Sequence, residues 1–92
     1  MEIVARLFHV RGRVQGVGFR WFVIHSAERL RVTGWTRNLA DGRVEVFAQG
    51  EPPALEALAQ DLRTGPRAAR VEEVGSIEEA PDPGLSDFSV RY

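Results

Sequence analysis

The order in which helical and strand-like periodicities follow one another constrains the fold of this chain most. Apolar residues recur with helical spacing in residues 19–30 and again in residues 55–62, which predicts two helices with one buried stripe each. The stripes are formed by Phe19, Phe22, Val23, Ala27 and Leu30 and by Leu55, Leu58, Ala59 and Leu62. Each helical segment lies between strand-like segments, so the chain predicts two β-α-β units.

The strand-like segments predict one sheet. Residues 3–11 carry apolar side chains on both faces, which is typical of a central strand. Residues 32–39 and 43–49 flank a turn at residues 40–42 and therefore predict a hairpin.

The end of the chain adds two further strands. Residues 69–77 have an uneven pattern that predicts a bulge after Val71, residues 78–86 predict a loop, and residues 88–92 alternate as a short last strand. Right-handed crossovers place both helices on one face of a sheet. We therefore predict an α+β fold: a ferredoxin-like split β-α-β sandwich (βαββαβ plus a short C-terminal strand), with an antiparallel sheet and two helices on one face.

The composition fits a single domain over residues 1–92, with 43% apolar residues and no cysteine. The net charge of −1 lacks the basic surplus of nucleic-acid-binding proteins, so we expect no nucleic-acid partner. Residues 1–6 contain no basic segment followed by a long apolar run, so we expect no signal peptide and no membrane partner. The expectation is a cytoplasmic monomer.

Residues 12–20, GRVQGVGFR, join the first strand to the first helix and contain three glycines. Glycines let backbone N–H groups approach an anion closely, and the start of a helix adds its dipole and its free N–H groups. Arg20 adds a planar set of donors that matches phosphate. The segment therefore favours an anion-binding loop, although a tight strand-to-helix turn beside a surface arginine has the same composition.

Two common phosphate-binding motifs do not fit this loop. A Walker loop requires a lysine, and the chain has none. A dinucleotide fingerprint that starts at Gly16 requires glycine at the position of Trp21.

Two segments resemble the signature segments of the acylphosphatases. They are GRVQGVGFR, with Val10 before it, and GWTRNLADGRVEVFAQG at residues 34–50. The final FSVRY resembles the C-terminal strand of that family. The resemblance runs from about residue 3 to the end of the chain, and the two motifs have the family's spacing.

The resemblance implies an enzyme that hydrolyses acyl phosphates (carboxyl-phosphate anhydrides) to carboxylate and inorganic phosphate, without metal or cofactor. It implies that Arg20 holds the phosphoryl group and that Asn38 orients the attacking water. The backbone amides that it implies as phosphate ligands are those of Gln15, Gly16, Val17, Gly18, Phe19 and Arg20. The expected ligands are a small acyl phosphate as substrate and inorganic phosphate as product and competitive inhibitor.

The residue inventory fits this chemistry. A carboxylate leaving group, whose conjugate acid has a pKa of about 4, needs no protonation. The matched segments contain no nucleophile arranged with a base, and neither Arg20 nor Asn38 accepts a proton at neutral pH. We hypothesise that the substrate phosphate takes the proton of the attacking water.

Two residues depart from the usual pattern of the family. Thr36 replaces a small aliphatic residue, and it lies two residues before Asn38 on the same strand face, so we expect it to influence the water site. Arg31 stands where many members have glycine at the end of the first helix. A left-handed backbone there would cost arginine about 1 kcal/mol relative to glycine.

Other reactive or aromatic residues have structural interpretations. His9 and His25 lack the spacing of metal ligands, so we expect no metal site. The aromatic residues predicted to pack in the core and on the sheet are Trp21, Phe22 and Trp35. Phe19 and Trp21 also flank the loop, and the alternative for them is to brace it. The surface arginines predicted to attract an anionic substrate are Arg11, Arg13 and Arg37.

Two alternatives remain open. A non-catalytic ferredoxin-like module could bind an anion, another ligand or RNA, but His9, Arg43 and Phe47 give only thin support for RNA binding. A domain of this lineage could also handle carbamoyl phosphate inside a larger maturation enzyme, but the chain has no zinc-binding cysteines, which favours a free-standing enzyme.

Overall fold

The computed structural model describes residues 2–92, and this part of the chain forms two helices and five strands. In chain order these elements are β1 (Val4–Arg13), α1 (Phe19–Leu30), β2 (Thr33–Asn38), β3 (Val44–Gly50), α2 (Pro52–Thr64), β4 (Arg70–Glu79) and β5 (Phe88–Val90). The predicted order of elements and the ferredoxin-like α+β fold are confirmed.

The strands form one sheet in the order β4-β1-β3-β2-β5. β1 pairs on both sides, as predicted for a central strand, and β2 and β3 form the predicted antiparallel hairpin. β5 pairs in parallel with β2, so the sheet is antiparallel except at this edge. β4 ends opposite the start of β1, at the same end of the sheet where β2 begins. A chain that returns from that end to pair with β2 must therefore run in the direction of β2.

The hydrophobic core lies between the two helices and one face of the sheet. The alternation predicted for β3 places Val44, Val46 and Ala48 on this face, where all three are fully buried. The α2 stripe covers them from above, with Leu55, Leu58 and Leu62 fully buried. Each such side chain contributes about 1.5–3 kcal/mol of burial free energy, which attaches both helices to the sheet.

The register between β1 and β4 changes at one point. Arg11 pairs with Glu73, whereas Gly12 pairs with Val71, so Glu72 is an extra residue in β4. This confirms the bulge predicted after Val71. The prediction that Gly12 begins the loop is wrong, because β1 continues to Arg13.

Only glycine fits at position 12, because β4 lies too close for a side chain. Its φ is 135°, and a Cβ atom there would lie 2.1 Å from the carbonyl oxygen of Arg70. Gly12, which the sequence predicts to lie in the loop, therefore allows β1 and β4 to approach closely beside the bulge. The loop itself is shorter and consists of residues 14–18.

Arg31 caps the C-terminal end of α1 in the left-handed conformation, with φ 60° and ψ 43°. Its backbone N–H donates to the carbonyl groups of Ala27 and Glu28. Because the backbone is left-handed at Arg31, arginine costs about 1 kcal/mol relative to glycine at this position.

Glu45 organises the charged residues on the sheet face that the helices leave open. Its carboxylate accepts hydrogen bonds from Arg37 Nε and from His9 Nε2, each at 2.7 Å, and its side chain is only 9% exposed. Burial raises the pKa of Glu45, but the hydrogen bonds and charges of His9 and Arg37 outweigh burial. The pKa of Glu45 therefore lies below its ordinary value of 4.5.

This lowered pKa predicts acid-dependent stability. Since the folded pKa is below the unfolded value, the stabilisation from Glu45 is complete above about pH 4.5 and is lost as the pH falls through the folded pKa. The difference in unfolding free energy between wild type and Glu45→Gln should shrink from about pH 7 to about pH 3, as urea titrations would measure. A difference that stays constant over this range would contradict the assignment.

Candidate active site

The loop between β1 and α1 has the backbone pattern of an anion-binding nest. Gly16 and Gly18 have φ values of 73° and 77°, and Val17 between them has negative φ. Alternation of left-handed and right-handed residues turns successive N–H groups toward one side of the chain. A Cβ at either glycine would meet only open space, so the conformation of the loop, rather than crowding, favours glycine here.

The N–H groups of residues 15–21 have no hydrogen-bond acceptor within residues 2–92. The first hydrogen bond of α1 runs from Phe22 N–H to the carbonyl of Gly18, at 3.0 Å. The preceding N–H groups therefore lie outside the helical ladder, at the positive end of the helix dipole. The first turn of α1 contains no acidic residue that would compete with an external anion.

Arg20 is the second residue of α1 and is half-buried. Among the described residues it has no acidic partner. Its guanidinium carbon lies 5.5 Å from the centre of the Tyr92 ring, which follows β5. A cation–π contact of this kind holds the guanidinium without neutralising its charge, so the charge of Arg20 is available to an anion.

Asn38 is the last residue of β2 and lies opposite Val44, on the sheet face that the helices cover. Its side-chain oxygen Oδ1 is buried and has no hydrogen-bond partner among residues 2–92. A buried acceptor without a partner costs about 1–3 kcal/mol. A small donor such as water, bound to this oxygen, would satisfy it.

Arg20 and Asn38, which are 18 positions apart in the sequence, line the same cavity. Its volume is about 130 Å³. The lining residues are Val14, Gly16, Gly18, Phe19, Arg20, Trp21 and Asn38. A larger cleft between α1 and α2, of about 520 Å³, contains Arg29 and Asp61, but these two charges are paired with each other. The small cavity therefore combines free N–H donors, an unpaired guanidinium and an unpaired acceptor.

The core-packing prediction is wrong for Trp21. Its side chain is 67% exposed and lies at the edge of the cavity, because the buried stripe of α1 passes through Phe19 and Val23 and turns position 21 outward. Phe22 is half-buried against the Phe19 ring, with 5.9 Å between the ring centres. Trp35 packs on the sheet as predicted, stacked on Phe47 at 5.8 Å.

The Thr36 hydroxyl is fully buried and donates to the carbonyl of Glu45 on β3, at 3.1 Å. This hydrogen bond ties β2 to β3 two residues before Asn38. An influence of Thr36 on the water site stays a prediction.

Two of the three arginines expected to attract substrate have acidic partners. Arg37 pairs with Glu45, and Arg11 pairs with Glu72 and Glu73. These partners balance the positive charges, so electrostatic attraction from Arg11 and Arg37 is weaker than the sequence suggests. Arg13 is exposed.

The open face of the sheet gives no support to RNA binding. The guanidinium groups of Arg37 and Arg91 lie over the Trp35 ring, at 5.3 Å and 4.8 Å from its centre. They occupy the ring face on which a base would stack. Within residues 2–92 no three potential metal-ligating side chains come together, and no helix is long and apolar enough to cross a membrane.

The side chain of Gln15 is a part of the site that the sequence analysis missed. Its Nε2 donates to the carbonyls of Leu39 and Arg43, at 2.8 Å and 2.9 Å. The sequence indicated only its backbone amide. No local pattern signals a contact across 24 and 28 residues.

Comparisons with known proteins identify relatives of this chain by sequence and by fold. The acylphosphatase family model matches residues 6–90. An acylphosphatase from Koribacter versatilis is 52% identical over 86 residues, which cover 94% of this chain and 78% of the relative. The structure of an acylphosphatase from Coxiella burnetii superposes with a TM-score of 0.92 at 40% identity, over 97% of this chain and 93% of the other. The crystal structure of acylphosphatase from Bacillus subtilis gives a TM-score of 0.90 at 36% identity, over 99% and 100% of the two chains. A signature loop, a fold and a sequence that agree over nearly the whole chain lead to one conclusion: the chain belongs to the acylphosphatase family.

Proposed function

We propose that this acylphosphatase holds the phosphoryl group of an acyl phosphate with Arg20 and the loop amides, while Asn38 orients the water that attacks phosphorus. The observation that carries the proposal is one cavity that is lined by N–H donors without an acceptor, by Arg20 and by Asn38, whose buried Oδ1 has no partner.

The binding half of the site matches the charge of the substrate. The amides of residues 15–20 and the guanidinium of Arg20 provide only donors, and a phosphoryl group presents only acceptors. Because the glycine turns and the helix start already hold these donors in place, they need little reorganisation as negative charge develops on the phosphoryl oxygens. Such preorganised donors supply a large share of catalysis in phosphoryl transfer.

The reacting half of the site consists of water and Asn38. Asn38 Oδ1 accepts a hydrogen bond from the water and points the lone pair of the water oxygen at phosphorus. The water oxygen forms a bond to phosphorus as the bond from phosphorus to the acyl oxygen breaks, and the carboxylate leaves with that electron pair. The proton of the water passes to a phosphoryl oxygen. This leaving group is stable as an anion, so the step needs neither a general acid nor a metal ion.

This chemistry defines the partners that we propose. The substrate is a small acyl phosphate, and inorganic phosphate, which shares its oxygens, is product and competitive inhibitor. All the residues that line the cavity belong to this one chain, so we propose that a monomer acts alone, without nucleic acid or membrane.

Hydrolysis of an aryl acyl phosphate tests this function. We expect turnover that EDTA does not reduce, competitive inhibition by inorganic phosphate, and negligible turnover of an aryl phosphate monoester, whose hydrolysis needs far more assistance. Loss of activity in EDTA would overturn the metal-independent mechanism. Failure of phosphate to compete would overturn the anion-binding role of the loop.

A further inference from the structure

We propose that the side chain of Gln15 is a positioning residue, which holds the phosphate-binding loop against the strand end that carries Asn38. By this contact it sets the distance between the oriented water and the bound phosphoryl group. The inference rests on the proposed function, since it requires that the loop binds phosphate and that Asn38 orients water.

The contacts of Gln15 lie at the end of the β2–β3 hairpin. Nε2 donates both of its N–H groups, one to the carbonyl of Leu39 at 2.8 Å and one to that of Arg43 at 2.9 Å. The same two carbonyls close the hairpin, because they also accept from Gly42 N–H at 3.1 Å and from Leu39 N–H at 2.8 Å. Leu39 directly follows Asn38, so the hydrogen bond to Leu39 is made one residue from the proposed water ligand.

These two hydrogen bonds are the only ones that join residues 14–18 to residues 39–43 within the described part of the chain. Arg20 and the phosphate-binding amides belong to the β1–α1 loop and the first turn of α1, and Asn38 belongs to β2. The two halves of the proposed site are thus on different elements. The side-chain amide of Gln15 connects the two elements.

Among common side chains, a primary amide suits this position particularly well. It presents two N–H donors in one plane, and here it satisfies two carbonyl acceptors at once. A methionine has similar length and flexibility but no donor. A carboxylate would place negative charge against two carbonyl oxygens.

Gln15→Met is the direct test. We expect kcat for an aryl acyl phosphate to fall about 10- to 100-fold, because a misplacement of about 1 Å between reacting groups has effects of this size. We expect the Kd of inorganic phosphate to stay within about twofold, because Gln15→Met removes neither a backbone amide nor the guanidinium of Arg20. A residue that only stabilises the fold would shift the unfolding temperature without separating kcat from phosphate affinity.

Gln49→Met is a matched control. Gln49 also makes two hydrogen bonds to main chain, through Nε2 to Asp82 O at 2.8 Å and through Oε1 from Asp82 N–H at 2.7 Å. It lies at the opposite end of β3 from the cavity, where it pairs with Ala5 and Thr33. This variant should lose stability comparable to that lost by Gln15→Met and keep wild-type kcat.

A double-mutant cycle with Asn38→Ala tests the mechanism of the effect. If Gln15 acts through Asn38, Gln15→Met should cost little further kcat in the Asn38→Ala background. Fully additive losses of kcat in the double variant would overturn the positioning role. Wild-type kcat in Gln15→Met would also overturn it, and so would a loss of phosphate affinity in Gln15→Met as large as its loss of kcat. Wild-type activity in Asn38→Ala alone would instead overturn the proposed function. Loss of activity in Asn38→Ala together with wild-type kcat in Gln15→Met would overturn only the role of Gln15.

Gln15→Glu provides a second variant if the methionine variant does not fold. Its carboxylate cannot donate to the two carbonyls, whereas its protonated form restores one donor. Its kcat relative to wild type should therefore rise as the pH falls from about 8 to about 5, because carbonyl neighbours raise the pKa of a carboxyl group. A ratio that is independent of pH would overturn the proposal.

Discussion

Acyl phosphate hydrolysis should fall at least about 10²-fold when Arg20 is replaced by alanine, and the affinity for inorganic phosphate should fall with it. Arg20 is the only cationic side chain that lines the cavity in the described structure. Its removal leaves neutral amides alone to stabilise the charge of the phosphoryl group. Arg20→Lys should recover only part of the activity, because an ammonium group lacks the planar set of donors.

Arg29→Ala is the control for this experiment. Arg29 lies on the same helix and pairs with Asp61, away from the cavity. This variant should lose an exposed ion pair, worth about 0–1 kcal/mol, and keep its activity. Equal activity of Arg20→Ala and Arg29→Ala, measured by steady-state kinetics and phosphate titration, would rule out the assigned role of Arg20.

Asn38→Ala should lower kcat by at least about 10²-fold while phosphate affinity changes little. The asparagine contacts the attacking water rather than the phosphoryl group in the proposed mechanism, so its loss affects turnover rather than binding. The Kd of inorganic phosphate and the kcat for an aryl acyl phosphate measure the two effects separately.

The same variant should not be less stable than wild type. Asn38 Oδ1 makes no hydrogen bond to residues 2–92, so alanine breaks no contact of this oxygen with the rest of the fold. Urea unfolding should therefore show a free energy of unfolding equal to or above that of wild type. A variant that is inactive and also strongly destabilised would indicate a structural role for Asn38, contrary to this assignment.

Local sequence patterns predicted most of the fold. The helical stripe from Phe19 to Leu30 reproduces α1, and the alternation of Val44, Val46 and Ala48 reproduces the buried face of β3. Even the bulge after Val71 was visible as a break in alternation. Such patterns are readable because each depends on residues that are close together in the chain and share one face.

Patterns of this kind fail where a residue's role depends on a distant partner. Trp21 is a large aromatic residue of the kind that fills cores, but it lies on the side of α1 opposite the buried stripe and points outward. Gly12 looks like part of a loop, but the carbonyl of Arg70 on β4 determines its conformation. β5 runs parallel to β2 because of where β4 ends.

By itself the sequence determined the order of the elements, the apolar faces that form the core and the glycine loop with its arginine. Only the tertiary structure decided that Asn38 Oδ1 is buried without a partner and that Gln15 joins the loop to the hairpin. The physical reason is distance along the chain. Periodicity arises between neighbours, whereas the hydrogen bonds of Gln15 span 24 and 28 residues and exist only once the sheet register places the two segments side by side.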